Sequence, residues 1–137
     1  LGNNWGFFAG DASGRLASSH LPWGNDVIFD TTTNWSAERI MKAAAADELR
    51  GQWRHWVFVK NADTGEKQAY LDGRLYVSVS ASTDPITGVD RFFIGAGDAG
   101  DSSYLGLMDE FQLFNRALSA EEALWLAGGT SPIHKPF

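Results

Sequence analysis

The sequence contains no cysteine. Disulfides and thiolate metal sites are therefore excluded, although that absence does not fix the compartment. It also has no cluster of Lys and Arg. Eleven basic residues face 17 acidic ones, for a formal charge of −6. Phosphate backbones need concentrated positive charge, so nucleic acid is not an expected partner, and an anionic membrane surface is disfavoured for the same reason. No apolar run is long enough to span a bilayer. Leu1-Gly2-Asn3-Asn4-Trp5 is not a signal peptide, so the signal of an exported protein is expected outside this sequence.

The motifs of covalent and metal catalysis are absent as well. There is no Gly-x-Ser-x-Gly and no His-x-x-x-His pair around His20, His55 or His134. Glycoside hydrolysis needs two carboxylates on one cleft, and residues two or four apart share a strand face. No Glu-x-Asp-x-Glu run exists. Asp109 and Glu110 are adjacent and should point to opposite faces, while Asp47-Glu48 and Glu121-Glu122 fall on helical pieces.

What remains is a chain of 137 residues, the size of one domain with a real core. It holds six Trp, nine Phe and three Tyr, side chains that suit pleated sheets. Short β-rich segments are punctuated by Gly, Asn and Asp. Strands are expected over residues 5–9, 15–21, 26–30, 37–42, 52–60, 67–71, 74–79, 91–95 and 107–115. Residues 52–60 carry apolar side chains on both faces and should be central and covered on both sides. Asp72-Gly73 between two β-rich runs predicts a type I′ hairpin, which wants positive φ at both central residues. Residues 43–50 favour a helical turn. Ser119 with Glu122 three residues later forms a capping box, and Gly128 fits the position after the helix end, so residues 119–128 hold one short helix. Residues 130–137 contain two prolines and no period, and read as a tail or linker after a domain spanning 1–129.

Four pieces, in order, resemble a known family. Trp53-Arg54-His55-Trp56-Val57-Phe58-Val59 is similar to the Trp-x-His strand of LamG-like, concanavalin A-type jelly rolls. Residues 67–75, with Tyr70-Leu71-Asp72-Gly73, resemble their Asp-Gly hairpin. Phe92-Phe93-Ile94-Gly95 resembles the strand ending in Ile-Gly. Residues 105–119, with Asp109-Glu110 and Asn115-Arg116-Ala117-Leu118-Ser119, resemble the last strand and its exit. Residues 10–30 are more loosely similar to LamG-like domains of bacterial multidomain surface proteins. The resemblance implies an all-β fold, an antiparallel two-sheet jelly-roll sandwich with one short C-terminal helix. It also implies a secreted, cell-surface or periplasmic setting and a non-catalytic recognition module of a larger protein. Family members usually begin with further strands ahead of the equivalent of Trp5. An edge left open in this way exposes unpaired backbone groups, so a second copy or a neighbouring domain is expected to complete it, unless a shorter variant of the fold covers it.

Three functions follow as expectations. The first is carbohydrate binding. Sugars stack their C–H faces on aromatic rings and need polar groups around the rim. Trp23 and Trp35 lie in polar loops, with His20, Asn25, Asp30 and Arg39 as polar partners. The alternative for both tryptophans is that they cap the sandwich ends. The second is a structural or self-assembly domain using its free edge. The third is a polysaccharide hydrolase or lyase. Calcium is the expected cofactor if there is one: hard cations want several oxygens. Asp98 and Asp101 in the acidic loop offer them, and the resemblance implies a calcium near the last strand, where Asp109 lies. The alternative is that Asp98 and Asp101 are turn residues, since Asp accepts local backbone bonds, and that Asp109 pairs with backbone amides or an Arg.

Overall fold

A computed structural model of the chain describes residues 2–31, 38–80, 82–98, 100 and 102–129. Ten elements follow in chain order: β1 (Asn3–Asp11), β2 (Gly14–Trp23), β3 (Asp26–Asp30), β4 (Ile40–Ala43), α1 (Ala46–Leu49), β5 (Trp56–Asn61), β6 (Glu66–Leu71), β7 (Arg74–Val79), β8 (Arg91–Ile94) and α2 (Ala120–Leu126). They form a five-stranded sheet in the order β4-β3-β2-β1-β8 and a three-stranded sheet in the order β5-β6-β7. All pairings are antiparallel.

The local signals explain the turns. Asp72 and Gly73 take φ of 49° and 76° and join Leu71 to Arg74, the paired residues at the end of the β6–β7 hairpin. Gly73 is required twice over. Its φ is positive, and a Cβ there would sit 2.7 Å from the Leu124 Cα of α2. At the start of α2, Ser119 Oγ accepts the Glu122 N–H while the Glu122 carboxylate accepts the Ser119 N–H. Gly128, at φ 83°, follows the helix end.

The core has two layers. One face of the three-stranded sheet, with Val57, Val59 and Tyr70, packs on Leu118 and on Ala123 of α2. The opposite face turns Phe58 against Phe29 of the five-stranded sheet, ring centroids 5.2 Å apart. Between the sheets lies an open cleft of about 1060 Å³. Small side chains line part of its five-stranded wall, among them Ala9, Ala17 and Ser19.

The sheets are riveted by a lysine. Lys67 of β6 is fully buried, and its Nζ donates to the carbonyl oxygens of Phe29 (3.1 Å) and Glu38. Lys60 donates to the carbonyl and hydroxyl oxygens of Ser82, whose own hydroxyl donates to the Glu38 carboxylate. Buried ammonium groups persist where such acceptors replace lost water.

Two expectations about the strands are corrected. Residues 52–55 are not strand, and β5 closes one edge of its sheet among the described residues, although it is covered on both faces as expected. Residues 107–115 form no strand. Glu110 stands at φ 51°, which an extended ladder does not accommodate, and Asp109 Oδ1 accepts the Glu110 N–H to hold that local bend. Leu107 and Leu113 are 78% and 77% exposed as a result. A one-residue break of this kind leaves no trace in an apolar, period-two sequence pattern.

Candidate functional site

The five-stranded sheet has two chemically different faces. Its inner face, toward the three-stranded sheet, carries Ala17, Ser19 and Phe29. Alternation along the strands sends their neighbours outward. The register then sets Trp5 beside His20 and Ser18 beside Asp30 on the outer face. Register shifts in β1–β2 on either side of Trp5 let its bulky ring share the side of His20.

Six side chains close a ring on that outer face. Asp30, at the end of β3, is fully buried and accepts two hydrogen bonds from Arg39, Nε to Oδ1 at 2.8 Å and Nη2 to Oδ2 at 2.9 Å. Arg15 Nη2 reaches the same carboxylate at 3.3 Å. The Arg15 guanidinium lies 5.7 Å from the centre of the Trp5 ring, and that of Arg39 lies 5.5 Å from Trp23. Between the two tryptophans stands His20, its ring centroid 4.0 Å from Trp5 and 5.2 Å from Trp23. Planar guanidinium groups suit this double duty, binding a carboxylate by their edge and an aromatic ring by their face.

The tautomer of His20 follows from its partner. Asn3 Oδ1 is an acceptor 2.7 Å from Nδ1, so Nδ1 carries the proton and Nε2 presents a lone pair. Burial first, and then the Arg15 charge, push the imidazole down to about 4, with Asp30 opposing them. His20 is thus neutral at physiological pH. Its Nε2, the Trp5 indole Nε1 and the Ser18 hydroxyl are all buried without a hydrogen-bond partner. An unmet buried polar atom costs about 1–3 kcal/mol, and three on one face form a floor that lacks partners within the described chain. Trp23 is 45% exposed at the rim.

Four of the residues expected from sequence, His20, Trp23, Asp30 and Arg39, therefore meet in one place. Trp35 lies outside the described residues. Asn25 occupies the β2–β3 turn, exposed, where its carbonyl accepts the Ala44 N–H. Trp5, Arg15 and Asn3 are additions. The available signal was Arg15, a lone charge in an otherwise uncharged strand.

The acidic loop behaves differently. Asp98 Oδ1 is 2.6 Å from Arg91 Nη1, and a cation at Asp98 would first have to displace that guanidinium. Asp109 binds the neighbouring amide, and Asp101 lies outside the described residues. Among the described residues no three metal-ligating side chains converge. His55 is held by its backbone: its N–H donates to Asp72 Oδ1 at 2.9 Å, while Arg54 pairs with Asp72 Oδ2.

Two antiparallel sheets face to face, with a helix packed outside, define a jelly-roll β-sandwich. The chain belongs to the laminin G type 3 family of the concanavalin A-like lectin/glucanases superfamily, which matches residues 2–123. A solved structure of an S-layer domain-containing protein from Clostridium thermocellum is similar in fold, with a TM-score of 0.51 and 23% identity. The likeness covers 81% of this chain and 55% of that one, so the chain spans about half the length of that relative. Comparison with curated proteins finds no match. No helix among the described residues is long and apolar enough to cross a membrane.

Proposed function

We propose that the chain is a non-catalytic glycan-recognition module of a cell-surface or secreted protein, binding on the outer face of its five-stranded sheet. One observation carries this reading: an exposed Trp23 ring is set beside a buried His20–Asp30–Arg39 constellation whose floor holds unpartnered polar atoms. A flat aromatic platform with polar groups at its edge is the chemistry a sugar ring requires. The surface setting is supported by the S-layer description of the similar structure.

Affinity electrophoresis through gels containing different polysaccharides tests the proposal. At least one polymer should retard the protein. Trp23→Ala should weaken retention about thirtyfold, the usual effect of truncating an aromatic anchor worth about 2 kcal/mol. Its exposure predicts little change in stability. No retardation by any polymer, or retardation indifferent to Trp23, would overturn the reading.

A second reading, self-assembly, is favoured by β8. Among the described residues this strand ends its sheet, and Phe92, Phe93 and Ile94 are all exposed. Such an edge is a template for strand addition. Light scattering should then give a dimer or larger mass, and a monomer mass that holds up to high concentration removes this alternative.

A further inference from the structure

The two sides of the sandwich are finished differently. On one side β4 and β7 are stitched together: Lys42 Nζ of β4 donates to the Tyr76 carbonyl of β7, and the Tyr76 hydroxyl donates to the Ala43 carbonyl. On the other side β8 and β5 each end their sheets among the described residues, and the cleft opens between them.

Apolar side chains collect on this open side. Phe92 packs on Phe7 and Phe111 at the cleft wall, and Leu107 and Leu113 line the same cleft while remaining largely exposed. Phe93 and Ile94 continue the exposed run along β8. Together Phe92, Phe93, Ile94, Leu107, Phe111 and Leu113 expose on the order of 700 Å², where the largest apolar patch of a typical monomer is about 300–600 Å². Each partner in a standard interface contributes about 800 Å². The patch and the strand edge beside it therefore reach the size that a stable dimer needs.

The chemistry of this side suits a copy of the same chain. The one charged residue of β8 is Arg91, and its guanidinium is paired with Asp90 and Asp98 of its own copy. Two β8 edges can thus meet without burying an unmatched charge. A strand edge is also complementary to itself. Laid antiparallel about a twofold axis, each copy offers the N–H and C=O groups that the other lacks.

Resting on the self-assembly reading above, we propose that a second copy of this chain covers the open side. β8 pairs with β8 and joins two five-stranded sheets into one continuous sheet, while Leu107 and Leu113 are buried across the seam. Such pairing keeps like faces on one side, so both Trp23 platforms point the same way and can engage one polymer together.

Sedimentation velocity of the whole chain over a range of concentrations should give a dimer and nothing larger. The association should tighten as salt rises from about 0.1 to 1 M, because screening relieves the repulsion between two chains of formal charge −6. Leu107→Glu combined with Leu113→Glu should raise the dissociation constant at least about a hundredfold, since apolar burial is lost and charge is forced into the seam. Both leucines are largely exposed within one copy, so the altered chain should fold, which circular dichroism checks. If it does not fold, amide hydrogen exchange on the unaltered chain decides: the β8 amides should exchange more slowly as protein concentration rises. Assembly beyond a dimer overturns this interface and leaves self-assembly standing. So does a dimer that weakens with salt, that ignores the double substitution, or that gives β8 no concentration-dependent protection. A monomer at every concentration overturns both, and the glycan reading survives either result.

Discussion

Replacing Asp30 with alanine should destabilise the protein by about 3–5 kcal/mol, the range found when one partner of a buried ion pair is removed. Asp30 has no exposed side-chain surface and neutralises two guanidiniums that are themselves only 17% and 13% exposed. Without it, Arg15 and Arg39 lose the carboxylate that they share. A domain of this size is stable by roughly 5–15 kcal/mol, so the variant should sit close to unfolding at room temperature. Urea denaturation followed by tryptophan fluorescence measures it. Adding Arg39→Ala to Asp30→Ala should cost less than the sum of the two single changes, because both single changes break the same bidentate pair. By contrast, Arg116→Ala, at the exposed Arg116–Glu122 pair, should cost under about 1 kcal/mol. A loss below 1 kcal/mol for Asp30→Ala would mean that the ring is not the buried structure described here.

The second large effect is on pH. The folded state holds the His20 imidazole near 4, while the unfolded chain titrates near the ordinary imidazole value of 6.5. Between those values the unfolded chain binds a proton that the folded one refuses. Stability is therefore fully present above about pH 6.5 and is lost as pH falls toward 4. The loss amounts to at most about 3 kcal/mol, and less if solvent enters the site as it opens. His55 is also held down by burial and acts in the same window, so a variant must separate the two. Asp11 and Glu122, whose carboxyls are lowered by hydrogen bonds from Ser13 and Arg116, act at lower pH. His20→Leu should flatten the fall between pH 6.5 and 5 in a series of denaturation curves. An unchanged slope would show that His20 takes up its proton without opposing the fold.

Sequence and structure agree best where the information is local. The Asp72-Gly73 turn and the Ser119–Glu122 cap each depend on residues within a few positions of one another, and both form as their side chains dictate. The site was half legible. His20, Trp23, Asp30 and Arg39 stand out as polar and aromatic residues near turns. Trp5 and Arg15 join them only through strand register and the bulges flanking Trp5, which are set by how three strands pack rather than by any short motif. Residues 107–115 show the opposite failure. Their apolar content and family resemblance argue for a strand, but a positive φ at Glu110 is decided by tertiary surroundings that a short sequence segment does not encode.

Lys67 has a consequence for how the domain bears load. Its stem is anchored in one sheet, and its ammonium is bonded to the carbonyl oxygens of Phe29 in the other and of Glu38 just ahead of β4. Sliding the layers by a single residue, about 3.3 Å, would strip a buried cation of both acceptors at once. Tension applied along the strands would therefore meet a discrete mechanical lock instead of a smooth, greasy interface that yields gradually. A module tethered at a surface and pulled through whatever it grips would resist shear up to a threshold, then give way abruptly.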